Sequence, residues 1–165
     1  ARRCRPPGPV GTILSCMNPS SSQPVTNVSS SQSALRVPRK RIAELVAFVC
    51  EREQADLAEV DVAVVDRAKI EQINRQWVGH RGATDVISFD LTDPHDEGIC
   101  AEIIVCGEVA VEQAEAHGHR RQRELLLYVR HGLLHVLGYD DQKDRDARRM
   151  HARQAELLEA FHARR

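Results

Sequence analysis

The chain has 165 residues, a formal net charge of −1 and 42% hydrophobic content, enough for one packed domain plus a tail. Its five cysteines (Cys4, Cys16, Cys50, Cys100 and Cys106) are odd in number and show no CxxC pairing, which argues against a disulfide framework and for reduced thiols in a cytoplasmic setting. No apolar run approaches the ~20 residues needed to span a bilayer, so no membrane partner is expected.

Residues 1–36 contain no Asp or Glu, carry Arg2, Arg3, Arg5 and Arg36, and are rich in Ser and Pro. A segment of this kind buries too little apolar surface to offset the entropy of ordering, and a disordered tail is expected over 1–36. Two other readings of the leader stay open: a start site placed too early, with Met17 the true start, or an organellar transit peptide. The domain is expected over 37–165.

Within it, Ile42, Leu45, Val46, Val49 and Cys50 recur at helical spacing and predict a helix over 39–53. Val60, Val62 and Val64 alternate with Asp61 and Ala63, the pattern of a half-buried strand. Asp66 is placed to cap a helix over 67–77 that buries Ile70, Ile73 and Trp77. Residues 84–91 (TDVISFDL) and 102–106 (EIIVC) read as strands, separated by a turn-rich DPHDEG. Three further helices follow, over 109–117, 121–137 and 144–161. The expected fold is α+β: a small mixed sheet with about five helices packed on it.

The chemistry concentrates in residues 131–141, HGLLHVLGYDD. His131 and His135 are four residues apart on a helix and project from one face. Gly138 can end the helix in a left-handed conformation and turn the chain back, bringing Asp141 towards the histidines. Two histidines and a carboxylate are a three-ligand metal set that leaves a coordination position open, and such sites activate water or polarise a phosphoryl or carbonyl oxygen. Zinc suits the set; nickel or another divalent metal also fits. The zincin-like helix lacks one part of an HExxH peptidase, because Gly132 stands where the glutamate base belongs.

Together with INRQWVGHRGATDVISFD (73–90) and AEIIVC (101–106), the motif resembles the YbeY family of metal-dependent endoribonucleases, in family order, over about residues 40–160. The resemblance implies a zinc-dependent, single-strand-specific endoribonuclease acting in ribosomal RNA maturation and ribosome quality control, with RNA and the small ribosomal subunit as partners. It places the family's first two histidine ligands on His131 and His135, and the third on Asp141. The arginine that many members carry after the aromatic residue is Val78 here; His80 and Arg81 are close enough in sequence to substitute for it in gripping RNA, and Arg81 is the candidate taken. Asp85 is a candidate for orienting a ligand or assisting proton transfer. Arg120 and Arg121, just upstream of the metal helix, are candidate substrate-binding cations. Two other functions remain open on these residues: a zincin-like metallopeptidase, and a non-catalytic ribosome-associated protein that keeps its metal for structure.

Overall fold

The computed structural model describes residues 23–79 and 82–164. Among the described residues, five α-helices, one π-helical turn and four strands form an α+β fold. In chain order the α-helices and strands are β1 (Val25–Ser30), α1 (Arg39–Glu53), β2 (Leu57–Val65), α2 (Arg67–Ile73), β3 (Val86–Asp90), β4 (Ile99–Cys106), α3 (Gly107–His117), α4 (Arg121–Val136) and α5 (Asp144–His162). The sheet order is β1-β2-β4-β3, with β1, β2 and β4 parallel and β3 antiparallel at the far edge.

Alternation in the central strands sorts the core into two layers. Val60, Val62 and Val64 of β2, with Ala101, Ile103 and Val105 of β4, face α1, α4 and α5 and form the main core. The opposite face carries Val65, Ile104, Cys106, Ile87 and Phe89, covered by Ile70, Ile73 and Trp77. Asp66 caps α2 as its position predicts, accepting from the Lys69 backbone N–H at 2.7 Å. The expected helix over 67–77 is not uniform, however. It widens after Ile73 into a π-helical turn, Asn74–Val78, where the buried Asn74 side chain donates to the Gly82 carbonyl at 3.0 Å. A widened turn lets one side chain serve the core while its neighbour ties down the following loop.

The expectation of a tail through residue 36 does not hold for its last part. Val25–Ser30 is a strand paired in parallel with Glu59–Val64 of β2. Its sequence, VTNVSS, has little apolar content because the backbone ladder holds it, with Val28 packed against the main core. Asn27 donates to Glu59 at 2.8 Å and to Asp61 at 3.0 Å, and the Arg39 guanidinium donates to the Val28 carbonyl. The expectations for residues 1–22, including Met17 as a start and a transit role, lie outside the described residues.

Helix α4 is clamped between the sheet and α1. Leu125, Val129, Leu133 and Leu134 are fully buried. At Gly132 the backbone comes so close that an added Cβ would stand 2.9 Å from methyl groups of both Ile103 and Val86. This contact fixes the rotation of α4 about its axis. Gly132→Ala is expected to lower stability by about 1–2 kcal/mol: overpacking of about 1–3 kcal/mol outweighs the gain of about 1 kcal/mol in helix propensity. Urea unfolding checks this, and an unchanged or raised midpoint would contradict it.

Candidate metal centre

With Gly132 against the sheet, His131 and His135 emerge on a flank of α4, next to α5 and the chain that follows α4. Their Nε2 atoms face each other at 3.0 Å, with the ring planes at 80°. The chain then closes α4 with a Schellman turn. Gly138 adopts φ 93°, its N–H donates to the His135 carbonyl at 3.0 Å, and the Tyr139 N–H reaches back to the Leu134 carbonyl at 3.0 Å. A side chain at position 138 would be strained in this conformation, so glycine is the residue that lets the chain reverse. The reversal brings Asp141 Oδ2 to 3.8 Å from His131 Nε2 and 3.7 Å from His135 Nε2.

These three atoms form a triangle whose corners all lie about 2 Å from a common centre, the length of a zinc–nitrogen or zinc–oxygen bond. His131, His135 and Asp141 can therefore hold one metal ion. The histidines are half-buried and the Asp141 carboxylate is exposed, so the centre opens on the Asp141 side.

Other contacts aim the rings. His135 Nδ1 stands 3.0 Å from the Tyr139 carbonyl, which only accepts; the ring proton therefore sits on Nδ1 and the Nε2 lone pair is free for a metal. Tyr139 is fixed in turn, because its hydroxyl donates to Glu53 at 2.8 Å. Arg153 of α5 donates to the same carboxylate at 2.6 Å, and the Arg149 guanidinium lies over the Tyr139 ring at 5.3 Å. His131 Nδ1 meets the side-chain amide of Gln154 at 2.7 Å. Burial and the neighbouring His135 lower the His131 pKa, against the smaller opposing pull of Asp85 and Asp141, which favours the neutral ring that a metal requires.

The remaining candidates from the sequence are scattered. Asp85 precedes β3 and accepts from its own chain, from Thr84 Oγ1 at 3.0 Å and the Val86 N–H at 2.9 Å; its charge is felt at His131 without a direct hydrogen bond. Arg120 and Arg121 lie at the opposite end of α4 from His135. Fourteen residues at ~1.5 Å each separate Arg121 from His135, a distance of about 20 Å along the axis. Arg121 is paired there with Glu115 at 2.7 Å. Arg81 lies outside the described residues, as does the side chain of Val78. Sequence reasoning missed Glu53 and Gln154, which reach the centre from α1 and α5 across the fold.

The family model for Endoribonuclease YbeY matches residues 27–162. The chain belongs to the YbeY family. An Endoribonuclease YbeY of Macrococcus caseolyticus is 42% identical over 132 residues, covering 75% of this chain and 86% of that protein. One from a Nocardioides species is 38% identical over 135 residues, covering 76% and 90%. The solution structure of a Thermotoga maritima protein superposes with a TM-score of 0.57 at 28% identity, covering 83% of this chain and 89% of that one. The match begins at Asn27, within β1, so the family model takes in most of the strand that composition hides. Among the described residues no helix is long and apolar enough to cross a membrane.

Glu53→Ala leaves Tyr139 and Arg153 without their shared acceptor and is expected to cost about 2 kcal/mol, with Arg153 partly solvated and the loss discounted accordingly. Tyr139→Phe, which removes one hydroxyl, is expected to cost about 1 kcal/mol. Chemical denaturation of both variants measures this; a Glu53→Ala protein as stable as the wild type would contradict it.

Proposed function

We propose that this protein is a metal-dependent endoribonuclease that hydrolyses single-stranded RNA, in the maturation of ribosomal RNA and in ribosome quality control. The observation that carries the reading is the convergence of His131 Nε2, His135 Nε2 and Asp141 Oδ2 on one point in a chain of the YbeY family. In this reading they hold one zinc ion, with nickel or another divalent ion as a possible substitute. Such an ion supplies Lewis acidity, acidifying a water and drawing charge from a phosphoryl oxygen.

The protein's own groups do the rest. Neutral imidazoles on α4 and the carboxylate beyond the Schellman turn leave one side of the centre open for a phosphodiester. Asp85, whose field reaches His131, is the candidate for a proton-transfer role on the sheet side. Arg149, exposed beside Tyr139, offers positive charge next to the centre. Arg120 and Arg121 offer it a helix length away, and Arg81 completes the set of candidate RNA contacts. The small ribosomal subunit and a cytoplasmic setting belong to the same proposal.

Packing at Gly132 supports RNA over peptide as substrate. The position after the first histidine faces Ile103 and Val86, so no general base can stand there as it does in an HExxH peptidase.

The test is metal analysis combined with cleavage of single-stranded RNA by wild type, His131→Ala and His135→Ala. Charge stabilisation by the ion is worth several kcal/mol, and ~1.4 kcal/mol is a factor of ten, so each substitution is expected to lower cleavage more than about 100-fold. Chelation should do the same, reversed by zinc. Cleavage that survives both substitutions in chelator-treated protein would overturn the proposal; stoichiometric metal with ribosome binding and no hydrolysis would point to a non-catalytic role.

A further inference from the structure

The two histidines are held at Nδ1 by partners of different kinds. His135 Nδ1 faces a carbonyl, which accepts and does nothing else. His131 Nδ1 faces the side-chain amide of Gln154, whose nitrogen Nε2 stands at 2.7 Å. An amide carries a donor at one end and an acceptor at the other, and half a turn about its last bond exchanges them with little change in shape.

Two arrangements follow, one complete without an ion and one that needs a cation between the facing acceptors. With the nitrogen end towards His131, Gln154 donates to Nδ1. The ring proton then sits on Nε2 and donates to the free Nε2 lone pair of His135, 3.0 Å away. With the oxygen end towards His131, Gln154 accepts from Nδ1–H, and the Nε2 lone pairs of His131 and His135 face each other and the Asp141 carboxylate, three acceptors that only a cation between them satisfies. Every polar atom of the pair is therefore satisfied without an ion in the first arrangement, and only with a cation in the second. The proton that leaves Nε2 reappears on Nδ1 through solvent, which reaches the half-buried ring, so the net charge is unchanged.

We propose that Gln154 is a positioning residue that sets the tautomer of His131: its amide holds the ring in the Nε2–H form through its nitrogen and in the metal-binding Nδ1–H form through its oxygen, turning over as the ion is taken up. The inference rests on the metal-centre reading given above. Leucine at 154 supports neither form. Glutamate, which only accepts when ionised, supports the metal-binding form alone. The place of Gln154 is fixed by its neighbour: Arg153 donates to Glu53 at 2.6 Å and to the Arg52 carbonyl at 3.3 Å, locking this turn of α5 against the end of α1.

The experiment is zinc titration of the full chain as wild type, Gln154→Leu and Gln154→Glu, with nitrogen-15 NMR of the histidine side chains before and after zinc. Thermal unfolding serves as the folding control. The wild type is expected to move the His131 proton from Nε2 to Nδ1 on zinc addition. Gln154→Leu is expected to bind zinc about 10–100-fold more weakly while remaining folded, and Gln154→Glu to bind at least as tightly as the wild type. If Gln154→Leu binds within about twofold of a zinc-binding wild type, or His131 keeps one tautomer throughout, the inference fails alone. A wild type that takes up no zinc overturns the metal-centre reading, and this inference with it.

Discussion

Helix α4 meets the sheet at Gly132 with no side chain in between, its backbone against the methyl groups of Ile103 and Val86. A helix seated this closely cannot rotate about its axis without lifting off the strands, because interiors are packed as densely as crystals. The seating decides where every other residue of α4 points. Leu125, Val129 and Leu133 go to the core, and His131 and His135 are carried to the flank where the turn after the helix returns. A larger residue at 132 would disturb the core and the site together.

From this seat a single polar framework extends outward. Gly138 reverses the chain, Tyr139 turns its carbonyl to His135 and its hydroxyl to Glu53, and Arg153 reaches the same carboxylate from α5. The next residue, Gln154, touches His131. Consecutive residues of α5 therefore govern the two histidines, one directly and one through Glu53 and Tyr139. Three helices are tied to the centre in this way. Such ties resist the small displacements that loosen a site whose supporting contacts are left to chance.

The sequence shows best what is local. The histidine spacing, the glycine that ends the helix and the carboxylate three residues beyond are set by helical period and turn chemistry, and the structure brings their side chains together. Asp66 as a cap was equally readable. Strand β1 was hidden because its stability comes from a backbone ladder to β2, to which VTNVSS contributes little apolar character. Gln154 and Glu53 were hidden because they meet the centre across 23 and 86 residues of chain, with no periodic signal to mark them. Nearness in sequence also misleads: Arg120 and Arg121 adjoin the metal helix in the chain, yet they stand at its far end.

The central claim is that His131, His135 and Asp141 bind one ion. X-ray absorption at the zinc edge of the loaded full chain tests it most directly. The account predicts one zinc per chain, two imidazoles and oxygen ligands at about 2.0–2.1 Å, and one imidazole fewer in His135→Ala. Sulfur neighbours at about 2.3 Å, or a spectrum unchanged by His135→Ala, would contradict it.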